Sequence, residues 1–446
     1  MKNTPSSVEA EDDEDFADDD IDSQIILADE RYEIIGDILC EVYEAGEERW
    51  ALSDMLDTVL LHRYLGLPVF LVIIWAMFHF TFEASKVFMA MIESFFAWLT
   101  IYTNQIPIDW VASLISDGLI GGVGFILTFL PPILFMYIAI SILEDTGYLA
   151  RAAFVMDKIM MKMGLHGRSF IPLLLGFGCS VPAIMAARTV DGRSNRLTTI
   201  LVSPLMSCTA RLPVYVLIAG VFFPALAGTM IFFMYILGII MAVIIALLLK
   251  KLVFRDEASP LLMELPMYQR PTVHGTFRHA WDRGFLFLRK AGSYLLVGAL
   301  ILWFLANFGP SGYVTGNVDA SFIAILGQAL QPAFAPLGFP WQIVAAIIFG
   351  LLAKEIVVES IGIMLASTGV GVSLALGSLL SPLSAFALMV FVLLYTPCIA
   401  TLGTIRSETQ SWKWTIISVA YQVLLAYLMA LLIVTLGTLI LGGIMI

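Results

Sequence analysis

Charge is what this sequence has least of. Only 13% of its 446 residues are Asp, Glu, Lys or Arg, against ~25% in a soluble domain, and that shortage excludes an ordinary water-soluble globule. Cysteine is scarce as well. The four present, Cys40, Cys179, Cys208 and Cys398, form no CxxC pair, which excludes a disulfide framework or a zinc ribbon. No GxxxxGK[ST] phosphate loop, nucleophile elbow, zinc-protease motif or basic nucleic-acid patch occurs. Those enzyme classes, GTP binding within this chain and nucleic-acid partners are therefore set aside. The first 60 residues also lack the apolar stretch of a signal peptide, so the N-terminus is expected on the cytoplasmic side.

What is there is apolar. Hydrophobic residues make up 59% of the chain and the mean hydropathy is +0.91, which predicts an all-α polytopic membrane protein with lipid as its main surroundings. The net charge is -12, and residues 1–22 hold ten Asp and Glu against Lys2. That block carries -9 and leaves -3 for everything else; an acidic run of this kind reads as a disordered, solvating tail over residues 1–24.

Residues 25–64 show i, i+3, i+4 apolar spacing through Ile34, Ile35, Ile38, Leu39, Val42 and Tyr43, with a new start at Ser53. They predict cytoplasmic amphipathic helices ahead of the membrane. The first span is expected at 65–82, followed by an external segment to 118. Further apolar runs cover 122–143, 169–187, 197–222, 229–249, 291–306, 341–366, 383–403 and 414–446. Gly or charge interrupts 169–187 and 341–366, and these two are expected to be broken or re-entrant. Lys and Arg gather in 145–168, 188–196, 250–290 and 404–413 and are absent from 101–118, 307–340 and 367–382. By the positive-inside rule the basic set is cytoplasmic.

An internal repeat agrees with that map. "GLHGRSFIPLLLGFGCSVPAI" (164–184) aligns at an offset of 174 with "GFPWQIVAAIIFGLLAKEIVV" (338–358), and "MSCTARL" (206–212) aligns with "TPCIATL" (396–402). Repeats of opposite orientation, each with a broken helix, are the pattern of transporters that bind their cargo near the bilayer midplane. The first repeat is assigned to 119–252, a cytoplasmic amphipathic linker to 253–290, and the second repeat with the C-terminal span to 291–446.

Chemistry-bearing residues cluster at these breaks. Gly176, Gly178 and Pro182 favour unwinding beside Cys179, while the matching break carries Lys354 and Glu355. Ionisable groups at membrane depth mark a site or a self-satisfied pair. Cys208 and Cys398 occupy equivalent positions of the repeats, so three sulfurs converge in this reading. Sulfur ligands suit soft or borderline cations such as Fe(II), Zn(II) or Cu(I), and a carboxylate hardens the set. Met206, Ser207 and Met185 are further ligand candidates. The competing reading is that buried cysteines only pack. Arg211 is expected to be a cation held by backbone carbonyls, and His274 and His279, five apart, are read as interfacial residues.

The motifs "HRYLGLPVFL" (62–71), "SILEDTGYLARAAFVMDKIMMKMGLHGRSFIPLLLGFGCSVPAIMAAR" (141–188), "SPLMSCTARLPVY" (203–215), "LLAKEIVV" (351–358) and "YTPCIATLGTIRSETQSWKW" (395–414) closely resemble the membrane domain of the ferrous iron transport protein B (FeoB) family. The resemblance runs from about residue 28 to the end. It implies two inverted Gate-type repeats and Fe(II) uptake across the bacterial or archaeal inner membrane by a non-enzymatic permease. It also implies an iron pathway through Cys179, Cys208, Cys398 and Glu355. Family members usually begin with a cytoplasmic GTPase domain, whereas here only the short acidic tail precedes "ADERYEII". The implied partners are therefore a separate or missing GTPase domain, a small cytoplasmic accessory protein and, as an option, further copies of the chain. The alternatives are an ion-coupled carrier of a small organic solute such as a nucleoside, or a non-transporting membrane scaffold.

Overall fold

The computed structural model describes residues 34–35, 55–62, 65–103, 108–128, 130–253, 268–310, 312–314, 320–366 and 372–442. Two compact units are distinguished, Met1–Thr58 and Val59–Ile446. In the first, residues 34–35 and 55–58 are helical; the acidic tail, Cys40 and most of the expected amphipathic segment lie outside the described residues.

The second unit is a helical membrane protein. Its helices are α1 Gly66–Thr103, α2 Asp109–Ser113, α3 Gly121–Thr128, α4 Leu130–Asp145, α5 Tyr148–Lys162, α6 Phe170–Leu175, α7 Ser180–Ala186, α8 Arg193–Val202 and α9 Leu212–Phe222. They continue as α10 Ala227–Leu252, α11 Val273–Asn307, α12 Phe322–Phe334, α13 Trp341–Phe349, α14 Ile356–Ala366, α15 Val372–Leu379, α16 Pro382–Leu394, α17 Ile399–Thr409 and α18 Trp412–Gly442. Two dipeptide strands, β1 Phe308–Gly309 and β2 Gly312–Tyr313, pair antiparallel. Six segments among the described residues are long and apolar enough to cross a membrane, or seven if the α12–α13 pair, bent by 108°, counts as one span.

Local chemistry explains where the elements depart from the apolar runs. The first helix continues for 38 residues, past the expected end at 82, because nothing from Glu83 to Thr103 is Gly or Pro and Glu83 pairs with Lys86 one turn on. The amphipathic linker and the run at 291–306 likewise join in the single 35-residue helix α11. Its basic end is tied to the end of α4: Thr276 Oγ1 donates to Asp145 at 3.2 Å, and Arg283 pairs with Glu144 at 3.0 Å.

Among the described residues four of the apolar runs are divided, two more than expected. The interruptions at 176–179 and 350–355 separate α6 from α7 and α13 from α14. The runs at 197–222 and 383–403 are also divided, at 203–211 and 395–398. Pro204, Pro213 and Pro397 lie in or beside these breaks, where a missing backbone donor and a crowded preceding carbonyl disfavour helix. The core forms around α16, whose residues from Ala387 to Leu394 are buried without a gap. A helix apolar on every side belongs inside the protein. By contrast α18 exposes Leu424, Leu428, Leu432 and Leu436 at four-residue spacing, a face suited to lipid.

Candidate functional site

The four breaks meet around one cavity of about 340 Å3, and Cys179, Cys208, Cys398 and Glu355 all line it. Each residue precedes a helix: Cys179 caps α7, Cys208 opens the short turn that leads into α9, Cys398 caps α17, and Glu355 stands directly before α14. The cysteines have extended backbones, with ψ of 134°, 158° and 159°, as residues at helix starts do. The positive ends of the helix dipoles of α7 and α17 therefore lie at the cavity lining, an environment that favours anionic ligand groups.

The two repeats close their breaks in the same way. The residue after Cys208, Thr209, donates its backbone N–H at 3.3 Å and its hydroxyl at 2.9 Å to the carbonyl of Gly178. The residue after Cys398, Ile399, donates its N–H to the carbonyl of Leu351 at 2.8 Å. A carbonyl freed by unwinding is thus satisfied from the partner break of its own repeat, as a dry interior requires. Packing then crosses the halves, with α7 on α17 and α9 on α14. At the basic end Arg188 grips Glu408 of α17 with two hydrogen bonds of 2.5 Å. That hydrogen-bonded carboxylate holds the Arg188 guanidinium above its ordinary value.

Two glycines are required by close approach. A Cβ on Gly178 would stand 2.9 Å from Met136 Sδ and 3.1 Å from Phe78, and one on Gly350 would overlap the Tyr395 hydroxyl and Val357.

Two buried cations stabilise the walls. Arg211, 1% exposed, donates to the carbonyls of Met206 at 2.8 Å and Pro204 at 3.0 Å, so the backbone pairing expected of it is present. This also accounts for the cluster at 203–211: the turn closes one bond of its own, from the Met206 N–H to the Ser203 carbonyl at 3.2 Å, and the guanidinium staples it by satisfying the Pro204 and Met206 carbonyls. Lys354 donates to the Thr396 carbonyl at 2.6 Å and lies 3.0 Å from the centre of the Tyr395 ring. It bridges the third and fourth breaks.

Met206 and Ser207 take a different place. Met206 is buried against Gly176, and the Ser207 hydroxyl meets the Tyr215 hydroxyl at 3.3 Å; neither is in the cavity lining among the described residues. Sequence reasoning passed over Thr401, which lies 3.2 Å from Cys398 Sγ and aligns with Arg211 in the repeat. It also passed over Phe78 and Thr81 of α1, which no repeat or spacing marks. Among the described residues no three His, Cys, Asp or Glu side chains are close enough together to hold an ion, so the cavity is not a preformed metal cage.

Two family models match the chain. One, described as nucleoside recognition (Gate), covers residues 126–222 and 288–412; the other, described as ferrous iron transport protein B C terminus, covers 231–283. The chain is 41% identical over 426 residues to an Fe(2+) transporter FeoB of Methanocaldococcus jannaschii, covering 94% of this chain and 64% of that protein. It is 41% identical to the Fe(2+) transporter FeoB of Staphylococcus aureus strain COL over 88% of this chain and 60% of that one. To an Fe(2+) transport protein A/Fe(2+) transporter FeoB fusion protein of Porphyromonas gingivalis it is 40% identical, over 94% and 56%. The chain thus spans between 56% and 64% of the length of these three relatives. No solved structure matches.

Proposed function

The chain belongs to the ferrous iron transport protein B family, and from that premise we propose that it is the permease core through which Fe(II) crosses the cytoplasmic membrane of a bacterium or archaeon. The observation that carries the reading is the convergence of Cys179, Cys208, Cys398 and Glu355, from four separate breaks, on one cavity. Borderline-soft Fe(II) prefers sulfur and carboxylate to the threonine hydroxyls that also line the wall. The ion exchanges water first for Thr81, Thr209 and Thr401 oxygens and then for the sulfurs of Cys179, Cys208 and Cys398. Since no fixed cage exists among the described residues, ligands are taken up in succession, which suits passage better than storage. Met206 and Ser207 serve this pathway indirectly, by shaping the turn that presents Cys208.

In this reading the N-terminus and the basic segments face the cytoplasm, and the chain transports without catalysing a reaction. A GTPase domain and a small accessory protein act on it from that side, and copies of the chain can associate. The nucleoside carrier is not favoured, because the relatives' names carry iron. The decisive experiment is anaerobic Fe(II) flux into proteoliposomes containing this chain, beside a Cys208→Ser, Cys398→Ser double variant. Flux that the double variant loses supports the sulfur-lined pathway, and equal flux in both refutes it. If neither conducts, a candidate GTPase domain and GTP are added; continued silence for Fe(II) counts against the iron reading.

A further inference from the structure

A second cavity, of about 580 Å3, lies toward the basic end of the molecule. Helices α4 and α7 supply walls to both cavities. On α4, Ile133 and Met136 line the thiol cavity, whereas the next residue, Tyr137, and Ile140 line the second. On α7, Val181 lines the first, and Pro182 and Met185 the second. The wall between them therefore contains Tyr137 and Met185, and these touch: the Tyr137 hydroxyl donates to Met185 Sδ at 3.9 Å.

That contact is unusual in two respects. Tyr137 is only 3% exposed, yet its hydrogen-bond acceptor is a thioether, the weakest acceptor among the polar side chains. Met185 is half-buried, unbranched and able to change rotamer at little cost. The join is thus the most easily opened kind of buried contact, and its sulfur is of the ligand class found one cavity earlier. Beyond it, Arg168, Arg188 and Arg283 line the second cavity, but each carries an acid partner: Asp191 at 2.7 Å, Glu408 at 2.5 Å and Glu144 at 3.0 Å. The mouth is therefore charge-balanced and raises no cationic barrier.

We propose that Tyr137 and Met185 form the door between the thiol cavity and a cytoplasmic exit cavity, with the Met185 thioether the next ligand of a soft cation leaving the cysteines. The ligand role rests on the Fe(II) reading; the door does not. The cation displaces the Tyr137 hydroxyl from the sulfur, Met185 swings into the second cavity, and the ion is passed to water between the ion pairs.

The test uses the full chain in inside-out membrane vesicles with a membrane-impermeant methanethiosulfonate. In one protein Cys179 is the sole cysteine; in a second, Ala150→Cys, in the wall of the exit cavity, is the sole cysteine and reports access and folding. The Ala150→Cys reporter is expected to label readily, and Cys179 about tenfold more slowly. Met185→Ala should bring Cys179 close to the reporter's rate, whereas Met185→Leu, which keeps the bulk, should leave it slow. The door is refuted if Cys179 of the parent labels as fast as the reporter, or if Met185→Ala leaves it slow while the reporter still labels. A reporter that labels only in right-side-out vesicles also overturns the exit assignment. The ligand role is read separately with all four native cysteines in place, as slower Fe(II) flux in Met185→Leu than in wild type; labelling as expected with no Fe(II) flux in wild type, even with a GTPase domain and GTP added, would sink the iron reading and leave the door standing.

Discussion

Arg211→Leu is expected to cost this protein more than any other single change at the turn it closes. The guanidinium is buried and donates separately to the carbonyls of Pro204 and Met206. Leucine fills much of the space but offers no donor. A buried carbonyl left without a partner costs about 1–3 kcal/mol, so two amount to about 2–6 kcal/mol. Part of this is returned because a desolvated charge is removed as well, and a net loss of about 2–4 kcal/mol is the expectation. Arg211→Lys keeps the charge but not the fork that reaches two oxygens at once, and should lose about half as much. The assay is reversible unfolding in detergent–lipid micelles, followed by the protection of Cys208 from a thiol reagent. Equal stability of Arg211→Leu and wild type, to within about 1 kcal/mol, or an Arg211→Lys protein indistinguishable from wild type, would refute the argument that the guanidinium staples this turn.

Three further outcomes follow from the same geometry. Gly350→Ala should destabilise by about 1–3 kcal/mol through overpacking against Tyr395 and Val357, read as a lower unfolding midpoint; an unchanged midpoint would mean that the break is looser than described. Thr209→Val should lose about 0.5–1.5 kcal/mol, the worth of one hydrogen bond to Gly178, and Thr209→Ser should restore it in the same assay. Breaking the Arg188–Glu408 pair should be asymmetric, because the Glu408 side chain is 6% exposed and that of Arg188 57%. Arg188→Gln, which takes the charged partner away from a buried carboxylate, should cost about 1–3 kcal/mol, and Glu408→Gln, which leaves an arginine that water can reach, less than about 1 kcal/mol; the reverse order would refute the reading.

Much of the architecture was legible because a bilayer leaves few options. Where water is absent, apolar runs become helices and interruptions become sites, so composition gave the class and the glycine-rich stretches gave two of the breaks. The repeat supplied Cys208 with Cys398 and, through Gly176 with Gly350, linked Cys179 to Glu355. Arg211 was correctly expected to rest on carbonyls, since a buried guanidinium in lipid has few other partners.

Other features needed the folded chain. That α1 outruns its apolar core follows from helix-compatible local sequence and the Glu83–Lys86 pair, and that α11 does so goes with its ties to Glu144 and Asp145 of α4, none of which hydropathy records. The breaks at 203–211 and 395–398 were hidden inside apolar runs because their cause is partly remote: Lys354 and the Gly178 and Leu351 carbonyls come from segments distant in sequence. Met206 and Ser207 stand beside Cys208 in the chain yet turn away from the cavity, since neighbours on an extended turn point in different directions. The sequence by itself determined the residue types available in the membrane, because each must be soluble there or partnered. Only the tertiary structure decided which of them share a wall, because a cavity is made of side chains that separate helices bring to one place, and neither spacing nor composition encodes that distance.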